Sequence, residues 1–135
     1  MKRIYLIRHG KAEEGFGKAD FERDLIEKGE KKTRKVALYL SKKNIEVDLM
    51  LVSLANRTKQ TGKIVAGHIS VPEDKMQEEK ALYLASSNGI LDVIFGVDDR
   101  VENLMIVGHN PGISSLATYL SKKNIDWMPT SAVAA

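Results

Sequence analysis

The 135-residue sequence contains no cysteine. That excludes disulfides, thiolate nucleophiles and cysteine-based zinc sites. It also lacks any apolar run approaching the ~20 residues needed to span a bilayer. Met1-Lys2-Arg3 leads at once into a short apolar segment that ends on polar residues, which is not a signal peptide; the cytoplasm is the expected location. No internal repeat, low-complexity tract or linker interrupts the chain. Charge of one sign is scarce: 21 Lys and Arg stand against 18 Asp and Glu, a net charge of +3. Several lysines lie beside glutamates, as in Glu27-Lys28-Gly29-Glu30-Lys31-Lys32, the pattern of a solvated helix face. Neither nucleic acid nor a membrane is therefore an expected partner, although a weakly positive surface favours an anionic substrate.

What is present fits an ordinary folded domain, with 43% hydrophobic and 29% charged residues. The length suffices for a single domain over 1–135 with its own core. Residues 3–8 read as a buried strand, and 11–24 as a polar loop around Gly15 and Gly17. Residues 27–42 form an expected helix with Thr33, Val36, Ala37 and Leu40 on its apolar stripe and Asn44 as its stop. A second strand is expected over 47–53. A helix follows from Asn56, a good N-cap type, to about His68, with Thr61, Ile64 and Val65 at helical spacing. Residues 78–84 fit either a short strand or an irregular segment. Ser86 or Ser87 caps a helix to about Phe95, and 104–108 is a third strand. Pro111 suits the first turn of a helix running to about Ser121 and burying Ile113, Leu116, Ala117 and Leu120. Residues 128–135 open a last strand. Strands alternating with helices indicate an α/β fold with a mostly parallel sheet.

The chemistry gathers where two apolar strands stop. Ile4-Tyr5-Leu6-Ile7 ends on Arg8-His9-Gly10, and Leu104-Met105-Ile106-Val107 ends on Gly108-His109. In open α/β sheets the ligand crevice lies at these carboxyl ends. Arg57, near the start of the helix after the second strand, would join them. Two guanidiniums and two imidazoles at one sheet edge repel each other unless a dianion lies between them. Arginine's planar fork matches phosphate oxygens and stays charged. Helix N-termini near Asn56 and Pro111 would add partial positive charge.

Leu6-Ile7-Arg8-His9-Gly10-Lys11-Ala12 resembles the signature of the histidine phosphatase superfamily, which includes the phosphoglycerate mutases. Ser53-Leu54-Ala55-Asn56-Arg57-Thr58-Lys59-Gln60-Thr61 resembles that family's second motif, and Val107-Gly108-His109-Asn110-Pro111 its third. Asp20-Phe21-Glu22-Arg23-Asp24-Leu25, Gly29 and Pro129-Thr130-Ser131-Ala132-Val133 are similar to the SixA-type phosphohistidine phosphatases. The resemblance covers nearly the whole chain, in order. It implies a phosphoglycerate mutase-like, three-layer α/β/α domain. It implies His9 as the nucleophile that becomes a phosphohistidine, with its second ring nitrogen held by a backbone carbonyl. Arg8, Arg57 and His109 would bind the phosphoryl oxygens, and Gly10 would leave space beside the site. Lys11 and Arg23 are candidates for the rim. Water hydrolyses the intermediate; no metal or cofactor is implied.

Three departures qualify the match. Leu54 stands where the family has proline. The glutamate that protonates the leaving oxygen in many members has no firm counterpart; Glu13 and Glu79 are the candidates, each better read as surface. Family members also continue past Thr130-Ser131-Ala132-Val133, so a last strand cut short at Ala135 is expected. His68 reads as structural, Trp127 and Met128 as packing against the sheet, and Thr130 and Ser131 as either phosphate contacts or plain strand. The expected activity is hydrolysis of phosphohistidine on a protein partner, with a small phosphoester as the alternative substrate. Phosphate- or sulfate-type anions should enter the pocket. A non-catalytic phosphate-binding module is the competing class.

Overall fold

A computed structural model describes residues 3–125 and 127–135. The alternation of strand side chains builds two cores. On β1 (Arg3–Arg8), Tyr5 and Ile7 face one side and Leu6 the other. On β2 (Leu49–Val52), Met50 and Val52 join the first side and Leu51 the second. On β4 (Asn103–Gly108), Met105 and Val107 oppose Leu104 and Ile106. Strands buried on both faces read as continuous apolar runs, which is why these three stood out in the sequence. The first face is covered by α1 (Glu27–Lys42) and α2 (Asn56–Ile69), through Ala37, Leu40, Val65 and Ala66. The second is covered by α3 (Ser87–Phe95) and α4 (Gly112–Ser121), through Ile90, Ile94, Ile113, Leu116 and Ala117. With β3 (Met76–Glu78) and β5 (Val133–Ala134) at the edges, the sheet order is β3-β2-β4-β1-β5. All pairs are parallel except β5 with β1. This is the expected three-layer arrangement.

The differences from expectation are local. The ambiguous segment 78–84 divides between the end of β3 and a 3-10 turn, Lys80–Leu82. Only Val133–Ala134 of 128–135 pairs as strand, because Ser131 turns the chain with φ 65° just before it. Asn56 is not the N-cap of α2. Ala55 holds that position, and the Asn56 amide instead donates to Glu22 O and Asp24 Oδ1, tying the helix to the 11–24 loop. Pro111 stands one position earlier, at the N-cap of α4 after a cis peptide bond. Leu120 is exposed, since the buried stripe of α4 runs through Ile113, Leu116 and Ala117. Met128 is buried as expected, but Trp127 is 62% exposed and does not pack on the sheet. Its ring lies over the Arg8 guanidinium, 5.6 Å from it.

Strand order and helix placement together locate the crevice. The chain leaves β1 into α1 on one face and leaves β4 into α4 on the other. Adjacent strands whose connections depart to opposite faces form a switch point, and their carboxyl ends open a cleft. Those ends carry Arg8-His9 and Gly108-His109.

Candidate active site

Parallel register brings the histidines together. Arg8 pairs with Gly108, and the His9 amide donates to Gly108 O at 3.1 Å. One residue further on, the rings of His9 and His109 meet with centroids 5.4 Å apart and planes tilted by 58°. Tyr83 sets its ring edge-on to His109 at 5.5 Å. Arg57, the second residue of α2, reaches in from the side and is 2% exposed. Its Nη2 lies 3.4 Å from His109 Nδ1.

Tight packing holds the loop that follows His9. A Cβ on Gly10 would meet Thr33 Oγ1 at 2.7 Å, and one on Gly29 would meet the Lys11 carbonyl at 2.1 Å. Glycine at both positions therefore lets α1 touch the backbone that follows His9. The Gly10 amide donates to Thr61 Oγ1 at 2.9 Å, and that hydroxyl donates to Arg57 O at 2.7 Å. One side chain thus fixes the His9 loop and the Arg57 helix together. Ser131 N donates to the carbonyls of both Arg8 and His9, and its hydroxyl meets Thr33 at 2.9 Å.

Hydrogen bonding defines the state of each ring. His9 Nδ1 lies 2.7 Å from Gly10 O. A carbonyl only accepts, so Nδ1 carries the proton and Nε2 keeps its lone pair. Burial pushes the His9 pKa down, the Gly10 carbonyl pulls it up, and the charges of Arg57, Arg8 and Arg23 push it down again, to about 4. Burial and the Arg57 charge likewise take His109 to about 3. Both rings are neutral near pH 7. Across His109, Nε2 meets Ser53 Oγ at 2.8 Å, while Arg57 offers only donors to Nδ1; Nε2 is therefore the protonated nitrogen.

The cavity at this point has a volume of about 360 Å³. Among the described residues its wall holds both histidines, the cations Arg8, Arg23, Arg57 and Lys11, and one carboxylate, Asp20. The Nε atoms of Arg8, Arg23 and Arg57 are buried without a hydrogen-bond partner. Unpaired buried donors are costly, and here all belong to side chains lining one cavity, which suits an anion. Burial lowers the Arg8 pKa from its ordinary value. Larger cavities of about 660 Å³ beside β5 and about 900 Å³ beside β2 contain no histidine and no such cluster.

The structure brings Arg8, His9, Arg57, His109, Arg23 and Lys11 to this one wall. Thr130 also lines it, while Ser131 is buried behind. Gly10 is buried and does not line the cavity. Its carbonyl and amide orient His9 and the loop, so it acts through neighbours and not by leaving space for a ligand. Glu13 pairs with Lys18 at 2.9 Å, and Glu79 accepts from the Ala81 amide at 3.2 Å; neither lines the cavity. His68 is exposed and bonded to Ile64 O. Sequence reasoning missed Asp20, Ser53, Thr61 and Tyr83 as parts of the site. Asp20, Ser53 and Thr61 lay inside quoted motifs, but Tyr83 carried no local signal. Among the described residues no cluster of three or more His, Cys, Asp or Glu could hold a metal ion. No helix among them is long and apolar enough to cross a membrane.

The model of the histidine phosphatase superfamily, branch 1, matches residues 4–82. The chain belongs to that superfamily. An uncharacterised protein of Mycobacterium tuberculosis is 31% identical over 115 residues, covering 85% of this chain and 70% of that protein. Among solved structures, SixA of Agrobacterium tumefaciens, assigned as a phosphohistidine phosphatase, superposes with a TM-score of 0.88. It is 28% identical, with 97% of this chain and 88% of that one covered. A tungstate complex of the protein histidine phosphatase SixA gives a TM-score of 0.86 at 22% identity, over 97% and 85% of the two chains. Mycobacterial glucosyl-3-phosphoglycerate phosphatase shares the fold with a TM-score of 0.67 at 14% identity, over 96% and 87%. Superfamily membership and the SixA-type neighbours support phosphatase, hence hydrolase, activity of this histidine phosphatase.

Proposed function

We propose that this chain hydrolyses phosphohistidine on a protein partner through a covalent phosphohistidine on His9. The carrying observation is a neutral His9 whose Nδ1 is held by Gly10 O, leaving Nε2 unprotonated in a wall of guanidiniums. In the first step, Nε2 attacks phosphorus in line, the P–N bond of the substrate breaks, and the departing imidazole takes a proton. In the second, water attacks phosphorus, the P–Nε2 bond breaks, and inorganic phosphate leaves with the remaining proton released. Arg8, Arg57 and His109 stabilise the oxygens on which charge collects. Arg23 and Lys11 add positive charge at the rim.

Two features favour a phosphorylated imidazole over an alkyl ester. Its nitrogen can be protonated near neutral pH, so it asks less of an enzymic acid than an alkoxide does. Two exposed side chains suited to contact with a protein surface also stand at or beside the cavity. Leu84, 58% exposed, lines the wall, and the exposed Trp127 ring makes a cation–π contact with Arg8 at 5.6 Å. A small-molecule phosphomonoesterase of the same superfamily is the alternative that experiment must separate.

The test compares kcat/KM for a panel of phosphohistidine proteins with that for small alkyl phosphates, with chelator present throughout. Faster turnover of the proteins is expected, with an acid-labile phosphoenzyme trapped in the wild type. Faster turnover of the alkyl esters would overturn the substrate assignment. Phosphoenzyme formation in a folded His9→Ala protein would overturn the nucleophile.

A further inference from the structure

Among the described residues Asp20 is the one carboxylate in the cavity wall, and it engages the very cations that an incoming anion needs. Its Oδ2 takes Arg57 Nη2 at 3.0 Å, and its Oδ1 takes Arg23 Nη2 at 3.2 Å. Its backbone carbonyl takes Arg57 Nη1 at 2.8 Å. The Tyr83 hydroxyl donates to Oδ2 in a short hydrogen bond. In the free protein the arginine most deeply buried in the site is thus already paired with an anion supplied by the chain itself.

We propose that Asp20 is an internal counter-anion, held in the phosphoryl site until a phosphoryl dianion displaces it, and that it thereby sets the site's selectivity for doubly charged anions. The inference rests on reading the cavity as a phosphoryl site. Four cations around two neutral imidazoles repel one another, and one carboxylate relieves part of that repulsion. A monoanion offers Arg57 and Arg23 nothing that Asp20 does not. A dianion with three free oxygens can bridge both and also reach the unpaired Nε groups of Arg8, Arg23 and Arg57.

The location suits displacement. Asp20 opens a 3-10 turn, Asp20–Glu22, in the 11–24 loop, and its side chain is 46% exposed. It can swing into water without opening the core. The Arg57 main chain does not depend on the Asp20 side chain. It is fixed by α2 and by the Thr61 hydroxyl. Partial burial pushes the Asp20 carboxyl up, but the Tyr83 and Arg57 hydrogen bonds and the Arg57 and Arg23 charges outweigh it and keep it below the usual carboxylate range. Asp20 is charged at any working pH.

Asp20→Asn keeps the shape and removes the charge. Calorimetric binding of inorganic phosphate at pH 8 should tighten about tenfold, equivalent to ~1.4 kcal/mol, and the variant should gain measurable binding of nitrate. Unchanged or weaker phosphate binding in folded Asp20→Asn overturns the inference and makes Asp20 a brace for Arg57. Tyr83→Phe keeps the ring against His109 and the Asp20 charge but removes the hydroxyl that anchors it. It should tighten phosphate binding in the same direction by a smaller factor, and weakening there also overturns the inference. Absence of phosphate binding in both wild type and Asp20→Asn would remove the phosphoryl reading of the cavity itself. Binding in the wild type that Asp20→Asn does not strengthen removes only the role given to Asp20.

Discussion

Ser53 Oγ lies 2.8 Å from His109 Nε2, and Ser53 is completely buried. With Arg57 donating on the other side of the ring, the hydroxyl accepts from Nε2 in the free protein. A hydroxyl can also donate. Ser53 can therefore partner His109 in either tautomer when a phosphoryl oxygen takes the place of Arg57 at Nδ1. Ser53→Ala should lower kcat/KM by about tenfold, ~1.4 kcal/mol of barrier, with thermal unfolding showing a folded protein. A change under twofold would mean that His109 is oriented by packing alone.

His9→Ala should lower turnover by at least about a thousandfold, ~4 kcal/mol. Its fold should survive, because His9 stands past the end of β1 and outside both apolar cores. Phosphate-induced stabilisation, measured as a rise in Tm, should persist through Arg8, Arg57 and His109. Loss of that rise together with activity would point to a collapsed site and not to a missing nucleophile.

The two depressed histidine pKa values predict acid sensitivity. An unfolded histidine titrates near 6.5, whereas His9 and His109 titrate at about 4 and about 3 when folded. Below pH 6.5 the unfolded chain gains protons that the folded chain refuses. Stability should thus fall as pH drops from 6.5 toward about 4 for His9 and about 3 for His109, by up to ~1.4 kcal/mol per pH unit for each. Above 6.5 both rings are neutral in both states and contribute no slope. Urea unfolding at successive pH values from 7.5 to 4.5 checks this; a flat profile would show the rings to be charged or solvated in the fold.

Glu13 and Glu79 are committed elsewhere, to Lys18 and to the Ala81 amide. Glu13→Gln and Glu79→Gln should each slow phosphohistidine hydrolysis by less than about tenfold, ~1.4 kcal/mol. A larger loss in either, with an alkyl phosphate as the better wild-type substrate, would restore the missing acid and favour the phosphomonoesterase.

The parts legible in the sequence were those with a period or a local break. Strands buried on both faces gave the apolar runs through Ile7, Met50 and Ile106, and α1 was delimited residue for residue. The meeting of His9, Arg57 and His109 followed from their places at strand and helix ends. What stayed hidden depends on distance in the chain. Asp20 reaches Arg57 across 37 residues, and its ion pair leaves no trace in local pattern. Tyr83 directly follows the 3-10 turn Lys80–Leu82, in an irregular segment with no strong periodicity to read. Trp127 looked like core because it is apolar, yet an arginine face and water share its ring.

The direct pairing of β1 with β4 also governs how activity must be regained after denaturation. Arg3 opposite Asn103 closes a loop of roughly a hundred residues, an entropic cost that local contacts cannot offset early in folding. The two imidazoles meet only once this long-range pairing has formed. A peptide carrying either half of the sequence would hold His9 or His109 without the other, and a collapsed chain with its helices in place but without this register would hold the two apart. Enzymatic turnover is therefore a late reporter in refolding. Helical circular dichroism should recover ahead of it if any species with helices but no β1–β4 register accumulates, and in step with it if none does.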